Sequence, residues 1–429
     1  MIHPSTNSRF EQRNGRLPVS YQCLAPTKSI AAAGRCNKKG NARIRQKIDA
    51  WSTESEGKFM AKRTQRIRYA VAGQGYIAQA AVLPAFENAA KNSELVALIS
   101  DDADKLAKLA KKYDVKHTYD YSAYDKCLRS GDVDAVYIAL PNHMHQEYAT
   151  RAAEAGVHVL CEKPMALTVA ECQSMIKACR ENAVKLMIAY RLHFEKSNLK
   201  AIELAQSGKL GDLRIFSSVF TMQVKEGNSR LQRALGGGTL YDIGIYCINA
   251  ARYLFQDEPV KVFANRASSN DVRFSEVEEM VSASLVFPKD RLATFVCSFG
   301  ASDVSAYQIV GTRGDLVVKN AYEYSSAMSH TLTIKGREKQ RTFSKRDQFA
   351  PELIYFSECI LEDKEPEPSG AEGMADIRVI NGLYRSAENH SPVALTEFEE
   401  VSRPAPNQEI TRPAIKKPSL YHAEAPSRE

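Results

Sequence analysis

The chain has 429 residues, of which 44% are hydrophobic and 25% are charged, a profile typical of a globular protein with two or more domains. No apolar run approaches the roughly 20 residues of a membrane-spanning helix, so no membrane partner is expected. The net charge of +7 is uneven: residues 1–65 carry 13 Lys/Arg and 4 Asp/Glu, and the remainder carries 45 and 47. Because that remainder is nearly neutral and has no nucleic-acid-binding motif, we expect no nucleic-acid partner.

Residues 1–65 form a polar, basic leader that we expect to be disordered. It has no apolar segment of the kind found in secretory signals, which favours a cytoplasmic over a periplasmic location. Met60 directly precedes the first predicted strand and is an alternative start of translation. The nine cysteines show no CxxC spacing. Those in predicted strands and helices are expected to be buried thiols, which favours a reducing compartment.

The first predicted strand, 67–72, runs into the turn 73–78, Gly-Gln-Gly-Tyr-Ile-Ala, and then into a helix. Strand, G-x-G-x-x-A turn and helix in this order are the fingerprint of dinucleotide binding. The first glycine permits the tight turn, the second lets the backbone approach a pyrophosphate, and the alanine allows close packing of helix on strand. The helix N-terminus then faces the phosphates. The expected cofactor contacts of this turn are Gly73, Gly75, Tyr76 and Ile77.

The second predicted strand, 95–100, ends on Ser100, and Lys105 follows in the next helical turn. NAD-specific sites usually place an acidic residue at this strand end to bind the ribose hydroxyls. A hydroxyl and a cation suit the 2′-phosphate of NADP better, although Asp101 and Asp102 oppose this choice. We therefore expect NADP, with NAD as the alternative.

The strand predicted at 134–140 is followed by Pro-Asn-His-Met-His at 141–145 and by a helix. The spacing His143-x-His145 could suggest a metal, but no third ligand follows at a useful distance, so no metal site is expected. His145 is interpreted instead as a cap or loop contact near the cofactor. The expected cofactor contacts at this strand end are Leu140, Pro141, Asn142 and His145.

The apolar run 157–161 predicts another buried strand, which ends on Glu162-Lys163-Pro164. Proline does not continue a central strand and holds the preceding residue extended. Lys163 is thus placed just past the carboxyl end of a strand, where open α/β sheets bind their ligands. A lysine there can donate hydrogen bonds and bring positive charge to a substrate oxygen.

Strands alternate with helices from 66 to 190, which predicts a doubly wound parallel sheet. From about residue 213 long β-rich runs follow one another with few helices between them. This pattern predicts a second, α+β domain over 191–395, with a large and mostly antiparallel sheet. The proline-containing segment 396–429 is expected to be an extended tail or an arm that clasps another subunit.

One stretch interrupts the β-rich region. The triple glycine 236–238 leads into a predicted helix that continues to about residue 254. Asp242 and Tyr246 are four residues apart on this helix and should share one face. An acid and a phenol on a mostly apolar helix are either a satisfied buried pair or part of a site.

Taken together, the motifs resemble the Gfo/Idh/MocA oxidoreductase family over about residues 66–395, and within it the glucose–fructose oxidoreductase branch. The resemblance implies a Rossmann domain and an open-faced sheet domain that serves the substrate and oligomer contacts. The matching stretches are 72–76 (Ala-Gly-Gln-Gly-Tyr), 134–142 (Asp-Ala-Val-Tyr-Ile-Ala-Leu-Pro-Asn), 161–165 (Cys-Glu-Lys-Pro-Met), 188–191 (Ile-Ala-Tyr-Arg) and 237–246 (Gly-Gly-Thr-Leu-Tyr-Asp-Ile-Gly-Ile-Tyr).

The resemblance also implies roles for individual residues. Lys163 corresponds to the catalytic lysine and Asp242 to the conserved aspartate of the family. Tyr246 falls where many members have His and the glucose–fructose oxidoreductase branch has Tyr. The implied cofactor contacts are Ser100 and Lys105 at the 2′-phosphate, Glu162 and Lys163 beside the cofactor, Arg191, and more loosely Arg230. Two features of that branch are missing here: its export signal, and a Trp near Arg230, where this chain has Ser229.

These features predict an NADP-dependent oxidoreductase that moves a hydride to or from a sugar or polyol, as a homodimer or homotetramer. Tyr246 is expected to exchange the proton on the substrate oxygen and Lys163 to stabilise its negative charge, while Asp242 orients the substrate or Lys163. One alternative is a simple dehydrogenase of a sugar, inositol or dihydrodiol that releases its cofactor in each cycle. Another is a non-catalytic, dinucleotide-sensing regulator on the same fold.

Overall fold

The computed structural model describes residues 66–398 and 403–427, which contain two sheets surrounded by helices. The predicted leader and Met60 lie outside these residues. The helices are α1 Leu83–Ala89, α2 Ala103–Tyr113, α3 Tyr124–Leu128, α4 His145–Glu154, α5 Val169–Glu181, α6 Lys196–Gln206, α7 Ile245–Phe255, α8 Ala350–Leu361 and α9 Gly370–Asn389. Short π-helical segments precede α1 (Ala78–Val82) and α7 (Leu240–Gly244).

The first sheet is fully parallel, with the strand order β3-β2-β1-β4-β5-β6. Its apolar runs are buried on both faces by flanking helices, as parallel strands require; all four residues of β4 are buried. The order reverses between β1 and β4, and their carboxyl ends therefore border a crevice. The prediction of a doubly wound parallel sheet is confirmed. The strands are β1 Ile67–Ala72, β2 Ser93–Ile99, β3 His117–Tyr119, β4 Ala135–Ile138, β5 His158–Glu162 and β6 Leu186–Ala189.

Helix α8, which comes late in the chain, packs against this first sheet. Its neighbours are α1, β1 and β2. The hydroxyl of Ser357 on α8 lies 2.8 Å from both the Tyr69 hydroxyl on β1 and the Ser93 hydroxyl on β2. The chain therefore returns to the first sheet after building the second one.

The second sheet has nine strands in the order β14-β13-β12-β11-β7-β10-β9-β8-β15. Every neighbouring pair is antiparallel except β7 and β10, which confirms the prediction of a mostly antiparallel sheet. The strands are β7 Leu213–Thr221, β8 Lys261–Ala267, β9 Met280–Phe287, β10 Arg291–Ser298, β11 Val304–Gly311, β12 Gly314–Lys319, β13 Met328–Ile334, β14 Arg337–Phe343 and β15 Val393–Ala394.

The two faces of the second sheet differ in exposure. On β10, Ala293, Phe295 and Cys297 are buried beneath the layer that includes α7 and α9, whereas the alternate residues Leu292 and Val296 are exposed. The alternation follows from the period of two along a strand. The uncovered face carries several apolar side chains on the adjacent strands β7, β10 and β11: Ile215, Val219, Leu292, Val296 and Val304.

The sequence prediction lacks the helices α3, α6 and α8 and the strands β3, β14 and β15. Of these elements, strand β14 is highly charged. β14 pairs only with β13 at the edge of the sheet and exposes six of its seven residues. An edge strand needs little apolar surface, and charges there oppose unwanted pairing with other chains, so its composition does not resemble a strand.

A buried ion-pair network joins α7 to α9. Arg252, which is fully buried, forms salt bridges with Glu258, Glu372 and Asp376 at 2.6 to 2.9 Å. The charges of Arg252 and Arg403 overcome the effect of burial and hold the pKa of Glu258 at about 2. Burial of these charges is compensated only while all partners are present, so the network fixes the relative positions of the two helices.

The buried side chains form one large cluster that continues from the first sheet into the second, and a smaller one on the other face of the first sheet. The seven cysteines in the described part of the chain are buried and unpaired. None of the helices within residues 66–398 and 403–427 combines the length and apolar character needed to cross a bilayer.

Candidate active site

A cavity of about 580 Å³ lies at the carboxyl edge of the first sheet and is bordered on its other side by the second sheet. Its lining includes Tyr76 and Ile77 after β1, Glu162 and Lys163 at the end of β5, and Thr221 at the end of β7. This is the position where doubly wound sheets bind nucleotides.

The glycine turn after β1 has the geometry that a dinucleotide requires. Gly73 has a φ of +91°, and a Cβ there would lie 2.4 Å from the carbonyl oxygen of Ala139. Around Gly75, in contrast, there is no atom within 4 Å of an ideal Cβ position, so a ligand can approach its backbone. The Gln79 N–H donates to the Gly75 carbonyl at 3.2 Å, so the helix begins at this turn and directs its first N–H groups toward it. These residues fit a pyrophosphate.

Ser100 and Lys105 lie next to the end of β2, outside the residues that line the cavity. Asp102 caps α2 by accepting a hydrogen bond from the Lys105 N–H at 2.8 Å, and its carboxylate lies 3.6 Å from the Lys105 ammonium. The Lys105 N–H and the ring of His422 lower the pKa of Asp102 to about 2. The Lys105 ammonium and the Ser100 hydroxyl are therefore both at the end of β2, where the 2′-phosphate of NADP is expected. The Asp102 carboxylate, which opposes the choice of NADP, lies beside Lys105.

The segment after β4 is attached to the neighbouring loops by side chains. Asn142 lines the cavity and donates a hydrogen bond to the Gly236 carbonyl at 2.8 Å. His145 is buried, with Nδ1 2.8 Å from the Pro164 carbonyl and Nε2 2.9 Å from the Leu140 carbonyl. His145 thus ties the end of β4 to the turn after β5. Leu140 lines the cavity, and Pro141 precedes a short 3-10 turn.

Glu162 is buried at the end of β5 and accepts a hydrogen bond from the Tyr137 hydroxyl at 2.8 Å. Burial raises its pKa, although the positive charge of Lys163 acts in the opposite direction. Glu162 is therefore a poor permanent anion and a suitable hydrogen-bonding group for a neutral part of a cofactor.

Lys163 and Asp242 come into direct contact, although 79 residues separate them. The Lys163 ammonium donates to the Asp242 main-chain carbonyl at 2.9 Å and to its carboxylate at 3.2 Å. Arg230 Nε donates to the other carboxylate oxygen at 2.6 Å. Burial favours the neutral acid, but Arg230 and Lys163 hold the pKa of Asp242 at about 2. Burial lowers the pKa of Lys163, yet Tyr246 and Asp242 more than offset this and raise it. Lys163 is therefore a permanent cation at neutral pH.

Tyr246 lies between two cations. The Lys163 ammonium is 4.9 Å from the centre of its ring, and the Arg191 guanidinium carbon is 5.1 Å away. Arg191 Nη2 also donates a hydrogen bond to the phenolic oxygen at 3.2 Å. Because that oxygen accepts from Arg191, the phenol's own proton is available to a different acceptor.

The backbone that carries Asp242 and Tyr246 differs from the predicted helix. Residues 240–244 form a π-helical segment, and the α-helix proper begins at Ile245. π-Helical segments often occur at functional sites. Both side chains nevertheless line the same cavity, and the structure brings them together with Lys163 and Arg191.

Several cavity residues have no signal in the sequence. Arg191 also donates to the Tyr322 carbonyl at 2.6 Å and to the Gln348 side chain, and it lies 5.3 Å from the ring of Tyr324. These partners follow β12 or precede α8, more than 130 residues away along the chain. Nothing in their local sequence indicates that they approach Arg191. Among the described residues, no group of three or more His, Cys, Asp or Glu side chains is arranged to hold a metal ion.

Two family models match the chain. The model described as "Oxidoreductase family, NAD-binding Rossmann fold" matches residues 67–190. The GFO/IDH/MocA C-terminal domain model matches residues 198–317.

Individual proteins are similar over most of the chain. The D-xylose 1-dehydrogenase [NADP(+)] of Haloarcula marismortui is 33% identical over 77% of this chain and 93% of its own length. The crystal structure of aldose-aldose oxidoreductase from Caulobacter crescentus, complexed with glycerol, is 38% identical, covers 77% of this chain and 100% of its own, and has a TM-score of 0.74. A 3-ketoreductase from Actinomadura kijaniata, in complex with NADP and TDP-benzene, is 26% identical, covers 75% and 98%, and has a TM-score of 0.69.

Proposed function

The chain belongs to the Gfo/Idh/MocA oxidoreductase family, and from this premise we propose that it is an NADP-dependent oxidoreductase acting on a sugar or polyol. The observation that carries the proposal is the cavity that joins the glycine turn to Lys163, Asp242 and Tyr246. Similar proteins named for NADP-dependent D-xylose oxidation and for aldose–aldose oxidoreduction support the substrate class. Because the family is one of oxidoreductases, we do not retain the alternative of a non-catalytic regulator.

The residues present fit a nicotinamide dinucleotide. The turn at Gly73 and Gly75 would hold the pyrophosphate, and Ser100 and Lys105 would hold the 2′-phosphate of NADP. Leu140, Asn142 and Glu162 line the path from that turn to Lys163. When bound, the nicotinamide supplies the hydride donor or acceptor. The chain's own residues then have to bind the sugar and manage its proton.

Tyr246 is the proposed proton carrier. In the reducing direction the phenol gives its proton to the substrate oxygen as the substrate carbon gains the hydride, and oxidation reverses both transfers. The phenolic oxygen is fixed by the hydrogen bond from Arg191, so it presents a defined point for proton exchange. General acid–base help of this kind is typically worth about 10²–10⁴-fold in rate.

Lys163 is the residue proposed to stabilise the negative charge on the substrate oxygen. Its raised pKa keeps it charged, so it acts as a cation beside the developing alkoxide rather than as a base. Asp242 accepts from Lys163 through both its carbonyl and its carboxylate, which fixes the direction of the ammonium. Arg230 in turn fixes the carboxylate. Asp242 is in this view a positioning residue.

A homo-oligomer, dimer or tetramer, would use the uncovered face of the second sheet. On neighbouring strands, Ile215 pairs with Leu292, and Val219 pairs with Val296. These residues are 37–47% exposed, and Val304 on β11 extends the patch. A contiguous exposed apolar face of this kind is typical of a protein–protein interface. We propose a cytoplasmic location, with support from the seven buried and unpaired cysteines in the described part of the chain, which suit a reducing compartment.

The test is transfer of a labelled hydride. The purified full chain is incubated with NADP⁺ and with a panel of aldoses deuterated at the anomeric carbon and polyols deuterated at their carbinol carbons, and the reduced nicotinamide is analysed by mass spectrometry. Deuterium at the nicotinamide with at least one aldose or polyol of a panel supports the function. Binding of NADP⁺ without label transfer from any member of the panel would contradict the substrate class, and no binding at all would contradict the cofactor.

A further inference from the structure

The C-terminal segment 415–427, here called the strap, contacts the first sheet beside the dinucleotide turn. Gln79, in the helix that follows the turn, exchanges two hydrogen bonds with the backbone of Tyr421, at 2.9 and 2.8 Å. His422 Nδ1 lies 2.7 Å from the carboxylate of Asp102, which caps α2. The Lys112 ammonium donates to the Ser419 carbonyl at 3.0 Å. The middle of the strap is therefore attached to the side of the cavity where the adenosine half of a dinucleotide belongs.

The end of the strap contacts the second sheet. The Lys225 N–H donates to the Pro426 carbonyl at 2.8 Å, and Ser427 forms an isolated antiparallel bridge with Val224, three residues after β7. Between Tyr421 and Ser427 the chain thus passes from one side of the cavity to the other. Residues 415–418, Leu420 and 425–427 line the cavity itself.

The strap also changes the charge of the cavity wall. It contributes Lys416 and Lys417, and the loop before α8 contributes Lys345 and Arg346. These four cations line the same cavity as Lys163 and Arg191. A dinucleotide phosphate carries several negative charges, and ammonium and guanidinium groups are the side chains that bind phosphate most strongly.

We propose that residues 415–427 complete the dinucleotide site: they close over the bound dinucleotide and must detach before it leaves, and Lys416 and Lys417 bind its phosphates. This inference rests on the proposed function, because it requires that the cavity binds a nicotinamide dinucleotide. Its consequence is slow cofactor exchange, since release first requires the contacts at Gln79, Asp102 and Val224 to break.

A reversible lock tests the closing movement. Residues paired across an antiparallel ladder have Cα atoms about 4.5–5.5 Å apart, within the range that a disulfide spans. The variant carries Val224→Cys and Ser427→Cys, together with Cys23→Ser and Cys36→Ser, because the other seven cysteines are buried. It is loaded with NADPH, oxidised, and chased with excess NADP⁺ while the fluorescence of bound NADPH is followed.

We expect the oxidised variant to release NADPH at least about tenfold more slowly than the same protein after reduction, because the lock holds the strap closed. Equal release rates in the two states, with the disulfide verified by mass spectrometry, would contradict the proposal that the strap closes over the dinucleotide. Failure of the disulfide to form would also overturn it, since Ser427 would not lie beside Val224. If the unmodified chain binds no NADPH, both the proposed function and the proposed role of the strap are contradicted. If it binds NADPH but the disulfide does not change the release rate, only the role of the strap is contradicted.

Two further variants remove the strap or its positive charges and should weaken the retention of NADPH. A chain that ends at Pro413 should release NADPH at least about tenfold faster than a chain that ends at Ser427, which keeps the strap and serves as the matched control.

The Lys416→Ala/Lys417→Ala pair should raise the dissociation constant for NADPH about tenfold at low salt, with a smaller effect at high salt. The pair Lys91→Ala/Lys126→Ala removes the same charge from exposed positions outside the cavity and should leave the constant unchanged. Equal values for the two pairs would contradict the phosphate role of the strap lysines.

Discussion

The ammonium of Lys163 donates hydrogen bonds to both the main-chain carbonyl and the carboxylate of Asp242, at 2.9 and 3.2 Å. The lysine comes from the end of a strand of the first sheet, and the aspartate from the π-helical segment that precedes α7. This contact therefore joins the cofactor side of the cavity to the side bordered by the second sheet. Burial lowers the pKa of the lysine, but Tyr246 and this carboxylate more than offset that effect and raise it.

Asp242→Asn should lower kcat and move the alkaline limb of the pH–rate profile to lower pH. The substitution removes the negative charge that helps to raise the Lys163 pKa, so the lysine loses its proton at lower pH. The measurement is kcat/KM against pH for both proteins. Asp303→Asn is the matched control, because Asp303 lines the same cavity and is exposed. A lower rate with an unmoved alkaline limb would show that Lys163 is not the group that titrates.

Lys105→Ala should weaken the binding of NADP more than that of NAD. Removal of a charge-assisted hydrogen bond to the 2′-phosphate costs about 1.5–3 kcal/mol, and NAD lacks that phosphate. Titration of both cofactors into both proteins measures the difference. Lys108→Ala, one turn later on α2 and paired with Asp104, should leave the ratio unchanged. Equal losses for the two cofactors would place the 2′-phosphate elsewhere.

Glu258→Gln should lower the free energy of unfolding at neutral pH by about 3–5 kcal/mol, because it leaves buried guanidinium groups without their partner. The pKa of Glu258 falls from its usual 4.5 to about 2 in the folded protein. Its stabilising contribution is therefore complete above pH 4.5 and is lost as the pH falls toward 2.

Urea unfolding of both proteins at a series of pH values checks this. The free energies of the two proteins should converge as the pH falls below 4.5. Glu388→Gln, on the exposed side of α9, provides the control with no expected effect. A difference between the Glu258 variant and the unmodified chain that stays constant down to the lowest pH would contradict the assigned pKa.

Val296→Glu should dissociate the proposed homo-oligomer. It places a charge on the β10 side of the apolar face formed by β7, β10 and β11, where burial against a second copy would be costly. Light scattering after size-exclusion chromatography gives the mass of each species. Val272→Glu adds the same charge at a position that is 74% exposed and off this face, and should not change the mass. A monomeric unmodified chain, or an unchanged mass for Val296→Glu, would contradict an interface on this face.

Five of the six strands of the first sheet were predictable, because each carries its own apolar run. The three-residue strand β3 was not predicted, since two of its residues are exposed and polar. The run before Gly73 has the bounds of β1, and the sequence pattern Thr168-x-x-Glu171 is the capping box with which α5 begins. The second sheet was predictable in type but less so in detail. Its edge strand β14 is charged, and helices α6 and α8 lie among strands, so neither pattern nor composition identified them.

The site was predictable where local motifs carry it. Lys163 at its strand end and the pair Asp242 and Tyr246 were identified from spacing and from the family resemblance, and the structure places them in one cavity. Their chemical roles stay proposals. The partners of Arg191 could not be predicted, because they depend on contacts between segments more than 130 residues apart. The strap was expected as an extended tail or an arm that clasps another subunit, since nothing in its sequence indicates the surface on which it lies.

The most direct test of the account is the rate of hydride transfer in Tyr246→Phe, measured in a single turnover with NADP affinity measured in parallel. The phenol is assigned the proton exchange, so its loss should lower the transfer rate by at least about 10²-fold and leave the dissociation constant for NADP nearly unchanged. Tyr241→Phe is the matched control, because that hydroxyl bonds the Leu167 carbonyl outside the cavity and should leave the rate intact. A Tyr246→Phe protein that transfers hydride at a near-normal rate would contradict the central claim, and Lys163 would then be the next candidate for proton exchange.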